Sequence, residues 1–263
     1  MTLQFTHTSP IYPHSFFAEE NEHWCIDSEK SVLKNGQFFT NLPEGIIFSG
    51  DFPLFRKVSQ DVFVLVEDCN AWLFNTDGQV IKHFSIGKGA WKIHTQAGKI
   101  IIGYGVGCYE HGEHRLAIFN QEGALEYVFH DLGTEITSIF LKEANSILVQ
   151  SYGLNSIVEI DLLNFSQKHY YCPKILQEYM LKAMYYQNGM AYLAIETEPY
   201  PIDHNFENYE ISIFKMPLSV QAVDCEFAQT IRYNFFVKTT TKGFIFHNFV
   251  LQQNTNTIWL LNL

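Results

Sequence analysis

No run of eighteen apolar residues occurs anywhere in this sequence, so it offers no candidate for a membrane-spanning helix. The N-terminus, Met1-Thr-Leu-Gln-Phe-Thr-His-Thr-Ser-Pro10, lacks both the charged and the apolar regions of a secretory signal. Basic residues are scarce: 17 Lys and Arg stand against 28 Asp and Glu, a net charge of −11 over 263 residues. A chain this acidic repels phosphate backbones, and no basic stripe offsets the charge, which argues against nucleic acid as a partner. The cysteines are odd in number and widely spaced (Cys25, Cys69, Cys108, Cys172 and Cys225), a pattern of free thiols in a reducing cytoplasm rather than a disulfide framework. A cytoplasmic protein that neither spans nor binds a membrane is expected.

Catalytic signatures are missing as well. There is no G-x-S-x-G nucleophile elbow. Gly103-Tyr-Gly-Val-Gly107 has the wrong final spacing for a dinucleotide fingerprint, and Ile86-Gly-Lys-Gly89 lacks the upstream Gly and the Ser/Thr of a P-loop. Both read as turns. Helical periodicity is almost absent, and only Pro173-Lys-Ile-Leu-Gln-Glu-Tyr-Met-Leu181 suits a short helix, with Pro in its first turn. No cofactor is expected.

What the chain has is aromatic residues and repetition. Aromatics make up 16%, with 23 Phe and 14 Tyr, a bias that suits half-buried strands. Val62-Phe-Val-Leu-Val66, Ala71-Trp-Leu-Phe74, the turn Asn75-Thr-Asp-Gly78 and Val80-Ile-Lys-His-Phe84 form one unit. Ile100-Ile-Ile-Gly-Tyr104, Leu116-Ala-Ile-Phe119, the turn Asn120-Gln-Glu-Gly123 and Ala124-Leu-Glu-Tyr-Val-Phe129 repeat it. Continuous apolar runs at 62–66, 100–104, 147–150, 190–195 and 244–246 recur roughly every 40 to 50 residues, the period of four-stranded propeller blades. Their unbroken apolarity predicts that they are the innermost strands.

The expected fold is all-β: one β-propeller domain over 1–263, of five four-stranded blades, or six if the poorly legible N-terminal region holds one. The chain ends on what reads as the third strand of a blade, Ile258 to Leu261. The N-terminal strand is therefore expected to supply the outer strand and close the ring, removing exposed sheet edges. The segment Ala90-Trp-Lys-Ile-His-Thr-Gln-Ala-Gly-Lys-Ile-Ile-Ile-Gly-Tyr104, with Leu116-Ala-Ile-Phe-Asn-Gln-Glu-Gly123, resembles blades of uncharacterised bacterial β-propeller proteins of the WD40/YVTN-like repeat type. Kelch glycine pairs, sialidase Asp-boxes and the Trp-Asp signature are absent, so the resemblance implies a fold and no activity.

Two loops stand out. Cys108, His111 and His114 lie close enough to ligate zinc, with Glu110 or Glu113 available as a fourth ligand, although a polar hairpin loop is the simpler account. Residues 196–210 interrupt a blade with Glu196, Glu198, Asp203, Glu207 and Glu210, no Lys or Arg, and three aromatics, Tyr200, Phe206 and Tyr209. Acid with aromatic is the composition of a surface that docks a basic protein, and long loops in compact domains are commonly functional or disordered. A non-enzymatic protein-binding propeller is the expectation, and an immunity protein that neutralises a basic toxin fits this acidic, motif-poor chain. A hydrolase or lyase is the alternative, built on carboxylates such as Glu67/Asp68, Asp131/Glu135 or Glu159/Asp161, or on a metal at one propeller face. A structural module of a larger assembly is the third reading.

Overall fold

The repeated turns are built alike. Asn75 Oδ1 accepts from the backbone N–H of Asp77 at 3.0 Å and of Gln79 at 2.9 Å, and Gly78 closes the turn at φ 76°. Asn120 does the same for Glu122 at 3.1 Å and Ala124 at 2.8 Å, with Gly123 at φ 70°. Such Asx turns fix where one strand stops and the next starts. A third copy, hidden from the sequence pattern, uses Asp161, whose Oδ1 accepts from Leu163 N–H at 2.7 Å; Phe165 takes the left-handed position at φ 60° in place of glycine.

The structure is a computed structural model that describes residues 2–7, 15, 17–19, 22–27, 29–46, 48, 53–105, 115–196, 210–221, 223, 225–232, 236–240, 243–250 and 255–262. Its strands, in chain order, are β1 (Thr2–His7), β2 (Phe17–Glu19), β3 (Glu22–Ile26), β4 (Ser31–Lys34) and β5 (Gln37–Asn41), then β6 (Leu54–Lys57), β7 (Val62–Glu67), β8 (Asn70–Asn75) and β9 (Val80–Ser85). There follow β10 (Ala90–Gln96), β11 (Lys99–Tyr104), β12 (Leu116–Asn120) and β13 (Leu125–Phe129), then β14 (Glu135–Glu143), β15 (Ser146–Tyr152), β16 (Ser156–Asp161) and β17 (Gln167–Tyr171). A single helical turn, α1 (Ile175–Glu178), precedes β18 (Met180–Gln187), β19 (Met190–Glu196), β20 (Glu210–Pro217) and β21 (Glu226–Arg232), and the chain closes with β22 (Phe236–Thr240), β23 (Gly243–Val250) and β24 (Thr255–Asn262). The short helix falls where Pro173 placed it.

Among the described residues these strands form six four-stranded sheets. Five are simple meanders, and the N-terminal one, β2 to β5, is the extra blade that the sequence left open. The last sheet has the order β1-β24-β23-β22, so the N-terminal strand closes the ring as expected. First strands meet around the axis: β6 with β10, β10 with β14, β14 with β18, β18 with β22, and β22 with β2. The ring of Phe17 on β2 lies 5.4 Å from that of Phe55 on β6, completing the circuit.

One expectation is corrected here. The continuous apolar runs are not the innermost strands; they are the second strands, β7, β11, β15, β19 and β23. A second strand is apolar on both faces because it is flanked by sheet on two sides and by neighbouring blades above and below. β7 and β11 are buried at every position after the first. The innermost strands are mixed in character, as in β14, where buried and half-buried residues alternate, because they border a central channel.

The core lies between blades. An aromatic group of Phe17, Trp24, Phe39, Phe55, Phe63 and Phe74 joins the first two blades. Leu54, Val64, Ile93, Ile102 and Tyr104 join the second to the third, and Ile101, Leu116, Ile136, Val149 and Val158 join the third to the fourth. Gly103 permits the latter contact, since a Cβ there would lie 2.6 Å from Ile136 Cγ2. Among the described cysteines, Cys25 and Cys172 are buried, and Cys69 and Cys225 are half-buried. No described helix is long and apolar enough to cross a membrane.

Of the carboxylates proposed for catalysis, Glu159 has a structural role. It accepts from Lys142 Nζ at 2.7 Å and from the Tyr170 hydroxyl at 2.5 Å. Burial alone would raise its pKa, but these hydrogen bonds outweigh burial and hold it below the usual carboxylate range. A carboxylate held this way stabilises the fold above its unfolded-state pKa, and the contribution disappears as pH falls through the lower folded value. Glu159→Gln is therefore expected to lose about 1–3 kcal/mol near neutral pH, and much less once the native carboxyl is protonated. Urea melts at both pH values decide this; an equal loss at both would assign the effect to packing.

Candidate functional site

Antiparallel pairing decides which ends of the strands share a face. Ala90 at the start of β10 pairs with Tyr104 at the end of β11, and Leu116 at the start of β12 pairs with Phe129 at the end of β13. One face of the ring therefore carries the starts of first and third strands and the ends of second and fourth strands. Residues 106–114 connect β11 to β12 and 197–209 connect β19 to β20, so both exceptional connections leave from and return to this face.

The same face is rich in exposed aromatics. Trp91 on β10 is 44% exposed, Tyr152 at the end of β15 is 68% exposed, and Tyr179 just before β18 is 39% exposed. A recurring irregularity aims some of these side chains. The β10–β11 register slips between Ala90 and Lys92, the β14–β15 register between Ile136 and Ser138, and the β18–β19 register between Leu181 and Ala183. The extra residues are Trp91, Thr137 and Lys182. A bulge bends the strand and re-aims its side chain, a device common beside binding sites.

Charged groups gather where these first strands begin. Lys182 is ion-paired to Glu196. Lys92 lies on β10 with its Nζ 5.5 Å from the centre of the Trp91 ring. Its pKa is pushed down to about 8, by burial first and then by Lys182 and Arg56, with Glu135 opposing them. Arg56 on β6 donates to Phe55 O at 2.6 Å and sits 5.3 Å from the Phe17 ring. His94, two residues along from Lys92, is pushed down to about 3 by burial and by Arg56, so it is neutral at physiological pH. Lys92 and His94 keep partial surface exposure although protein surrounds them, as side chains within a channel do.

The sequence-based site residues fare unevenly. The sequence places Glu196 among acids with no nearby Lys or Arg, but it ends β19, is buried, and is held by Lys182, so it belongs to the scaffold. Glu210 begins β20, with its backbone opposite Arg232. Glu198, Tyr200, Asp203, Phe206, Glu207 and Tyr209 lie outside the described residues, as do Cys108, His111, His114, Glu110 and Glu113. The carboxylate pairs separate in role: Glu67 is buried at the end of β7 and Asp68 takes a left-handed turn position at φ 52°, while Asp161 holds a turn and Asp131 accepts from Gln167 Nε2 at 3.4 Å. Trp91, Lys92, Lys182 and Arg56 are not singled out by the sequence because it does not mark the first strands as innermost, and Glu135 is picked out there only as a catalytic carboxylate beside Asp131. The signal was there in Ala90-Trp-Lys, a bulge that puts an aromatic and a cation at the channel mouth.

No family model matches the sequence, and no curated protein matches it. Solved structures do resemble it in fold. YCF48 bound to D1 peptide aligns with 95% of this chain and 78% of its own, at 11% identity and TM-score 0.58. BamB from Moraxella catarrhalis aligns with 94% of this chain and 82% of its own, at 9% identity and TM-score 0.51. The C-terminal WD40 domain of Sif2 aligns with 96% of this chain and 70% of its own, at 10% identity and TM-score 0.50. The fold is that of a β-propeller. Identities this low show the architecture alone, so the chemistry must be argued from the face itself.

Proposed function

We propose that this chain is a non-enzymatic protein-binding propeller whose partner docks on the face that carries Trp91, Tyr152, Tyr179 and the two irregular connections. The observation that carries the reading is the convergence of exposed aromatics with the acidic 197–209 connection on one face. Large aromatics anchor interfaces when a partner desolvates them, and surrounding charge steers the approach. The fold supports the reading too, since YCF48 was solved with a D1 peptide bound. The acidic connection, within a chain of net charge −11, favours a basic partner, and neutralisation of a basic toxin is the specific role we propose. A hydrolase built on paired carboxylates at the channel fits less well, since the inner strands bring Arg56, Lys92 and Lys182 beside Glu135.

The test is binding kinetics with a captured partner at two salt concentrations. Reversal of Glu198, Asp203 and Glu207 to Lys should slow association and flatten its salt dependence, because exposed charges are screened over about 8–10 Å. Trp91→Ala and Tyr152→Ala should speed dissociation, each by about 1–3 kcal/mol if the residue sits at the packed centre. Unchanged rates after deletion of 197–209 and truncation of both aromatics would remove this face from consideration.

A further inference from the structure

The channel mouth has an electrostatic character opposite to that of the chain. Lys92 is on the third sheet, Lys182 on the fifth and Arg56 on the second. The third and fifth sheets are separated by the fourth, but Lys92 and Lys182 both lie at the bulged starts of innermost strands, which brings the two cations within electrostatic reach. The fourth sheet contributes Glu135, whose carboxylate lies beside Gly105 and Trp91, 3.9 Å from the position a Cβ on Gly105 would take.

Lys92 has no carboxylate at ion-pair distance among the described residues; its close contact is the Trp91 ring. Two residues further on the same face of β10, His94 has a buried Nε2 with no hydrogen-bond partner in the protein. A cation held among other cations in a protein-lined space, next to an unsatisfied ring nitrogen, is costly unless a counter-charge arrives. We propose that the mouth of the central channel is an anion site in which Lys92, flanked by Arg56 and Lys182, takes a compact oxyanion, a carboxylate or a phosphate group. Trp91 forms one wall through its exposed ring, and Glu135 beside it limits the net positive charge, which favours a small anion over a polyanion.

The charged groups around Lys92 fix the pH response. Lys182 with its partner Glu196 faces it from β18 and β19, Glu135 from β14 and Arg56 from β6, with His94 on its own strand. Burial and its cationic neighbours hold Lys92 at about 8 against an ordinary 10.5, so the free site loses the Lys92 proton above about pH 8. An anion favours the charged form, so binding near that pH draws a proton from solution. His94 remains neutral throughout this range.

The experiment is calorimetry on the full chain with inorganic phosphate in one arm and succinate in the other. Each is run near pH 7, and near pH 8 in two buffers of different ionisation enthalpy. At least one anion should bind the wild type with proton uptake near pH 8. Lys92→Met should weaken that binding by about tenfold or more, whereas Lys168→Met on the outer strand β17 should leave it unchanged. Lys92→Arg should retain binding and abolish proton uptake, since guanidinium does not titrate in this range. The preferred arm separates phosphate from carboxylate. Failure of both anions to bind, or binding by Lys92→Met as tight as by wild type, overturns the proposal.

Discussion

Phe63→Ala is expected to cost the fold about 3–5 kcal/mol, a large part of the stability of an ordinary domain. Phe63 is fully buried on β7, with its ring 5.1 Å from that of Trp24, 6.0 Å from Phe39, 5.5 Å from Phe55 and 5.6 Å from Phe74. Those partners come from both of the first two blades, so truncation opens a cavity at the blade interface instead of within one sheet. β7 itself, β3 with Trp24 and β8 with Phe74 are paired on both sides, which restrains collapse into the void and places the cost toward the upper end of the range. Phe38, 64% exposed on β5, is the matched control, and its replacement by Ala should change stability by less than about 0.5 kcal/mol. Urea unfolding of both variants measures the difference. A loss under about 1 kcal/mol at Phe63 would mean that the first two blades do not share this core.

Removal of β1 should have a comparable effect by a different route. β1 pairs with β24 through Thr2↔Leu260, Leu3↔Trp259, Phe5↔Ile258, Thr6↔Thr257 and His7↔Asn256. A chain that begins at residue 9 leaves that edge of β24 open, with its backbone groups unpaired and free to template association. The expected outcome is a lowered melting temperature and a shift to higher oligomers in light scattering, with about 0.5–1.5 kcal/mol lost per missing ladder hydrogen bond. Moving residues 1–8 to the C-terminus through a short Gly/Ser linker should restore the size and melting temperature of the intact chain, because β1 and β24 are antiparallel and a hairpin can join them. If the shortened chain keeps the size of the intact one with an unchanged melt, the closure is dispensable.

The parts of the fold legible in the sequence were those governed by local rules. Asn75 and Asn120, each followed three residues later by Gly, marked the outer hairpins because their side chains cap the turn backbone. The closing strand could be inferred from a blade that ended one strand short. The first strands were assigned wrongly because apolarity was equated with proximity to the axis; at the axis of this ring the strands border a channel, and Lys92, His94 and Lys182 are tolerated there. The N-terminal blade was obscure because its strands are short and depend on Phe17, Trp24 and Phe39 packing against β6 to β8, contacts that no local pattern reveals. At the site, Glu196 reads as loop in the sequence because it abuts the insertion, whereas strand pairing with Met180 and the ion pair with Lys182 tie it to the scaffold. The bulge residues Trp91 and Lys182 break the alternation that a sequence reading relies on.

The pairing of β1 with β24 also sets a timetable for the ring. Each hairpin from β2 to β21 joins neighbours close in sequence, so the blades can form in order as the chain emerges. The final sheet must wait until the last residues are available and then find a strand made first. Closing a loop of nearly the entire chain adds little to the equilibrium cost, because that entropy grows only logarithmically with length. Its effect is on rate: contacts of such long sequence separation form late and slowly. Until they form, the lone first strand and the unpaired edge of the last sheet are exposed together, and this interval is when the protein is most open to pairing with another copy of itself.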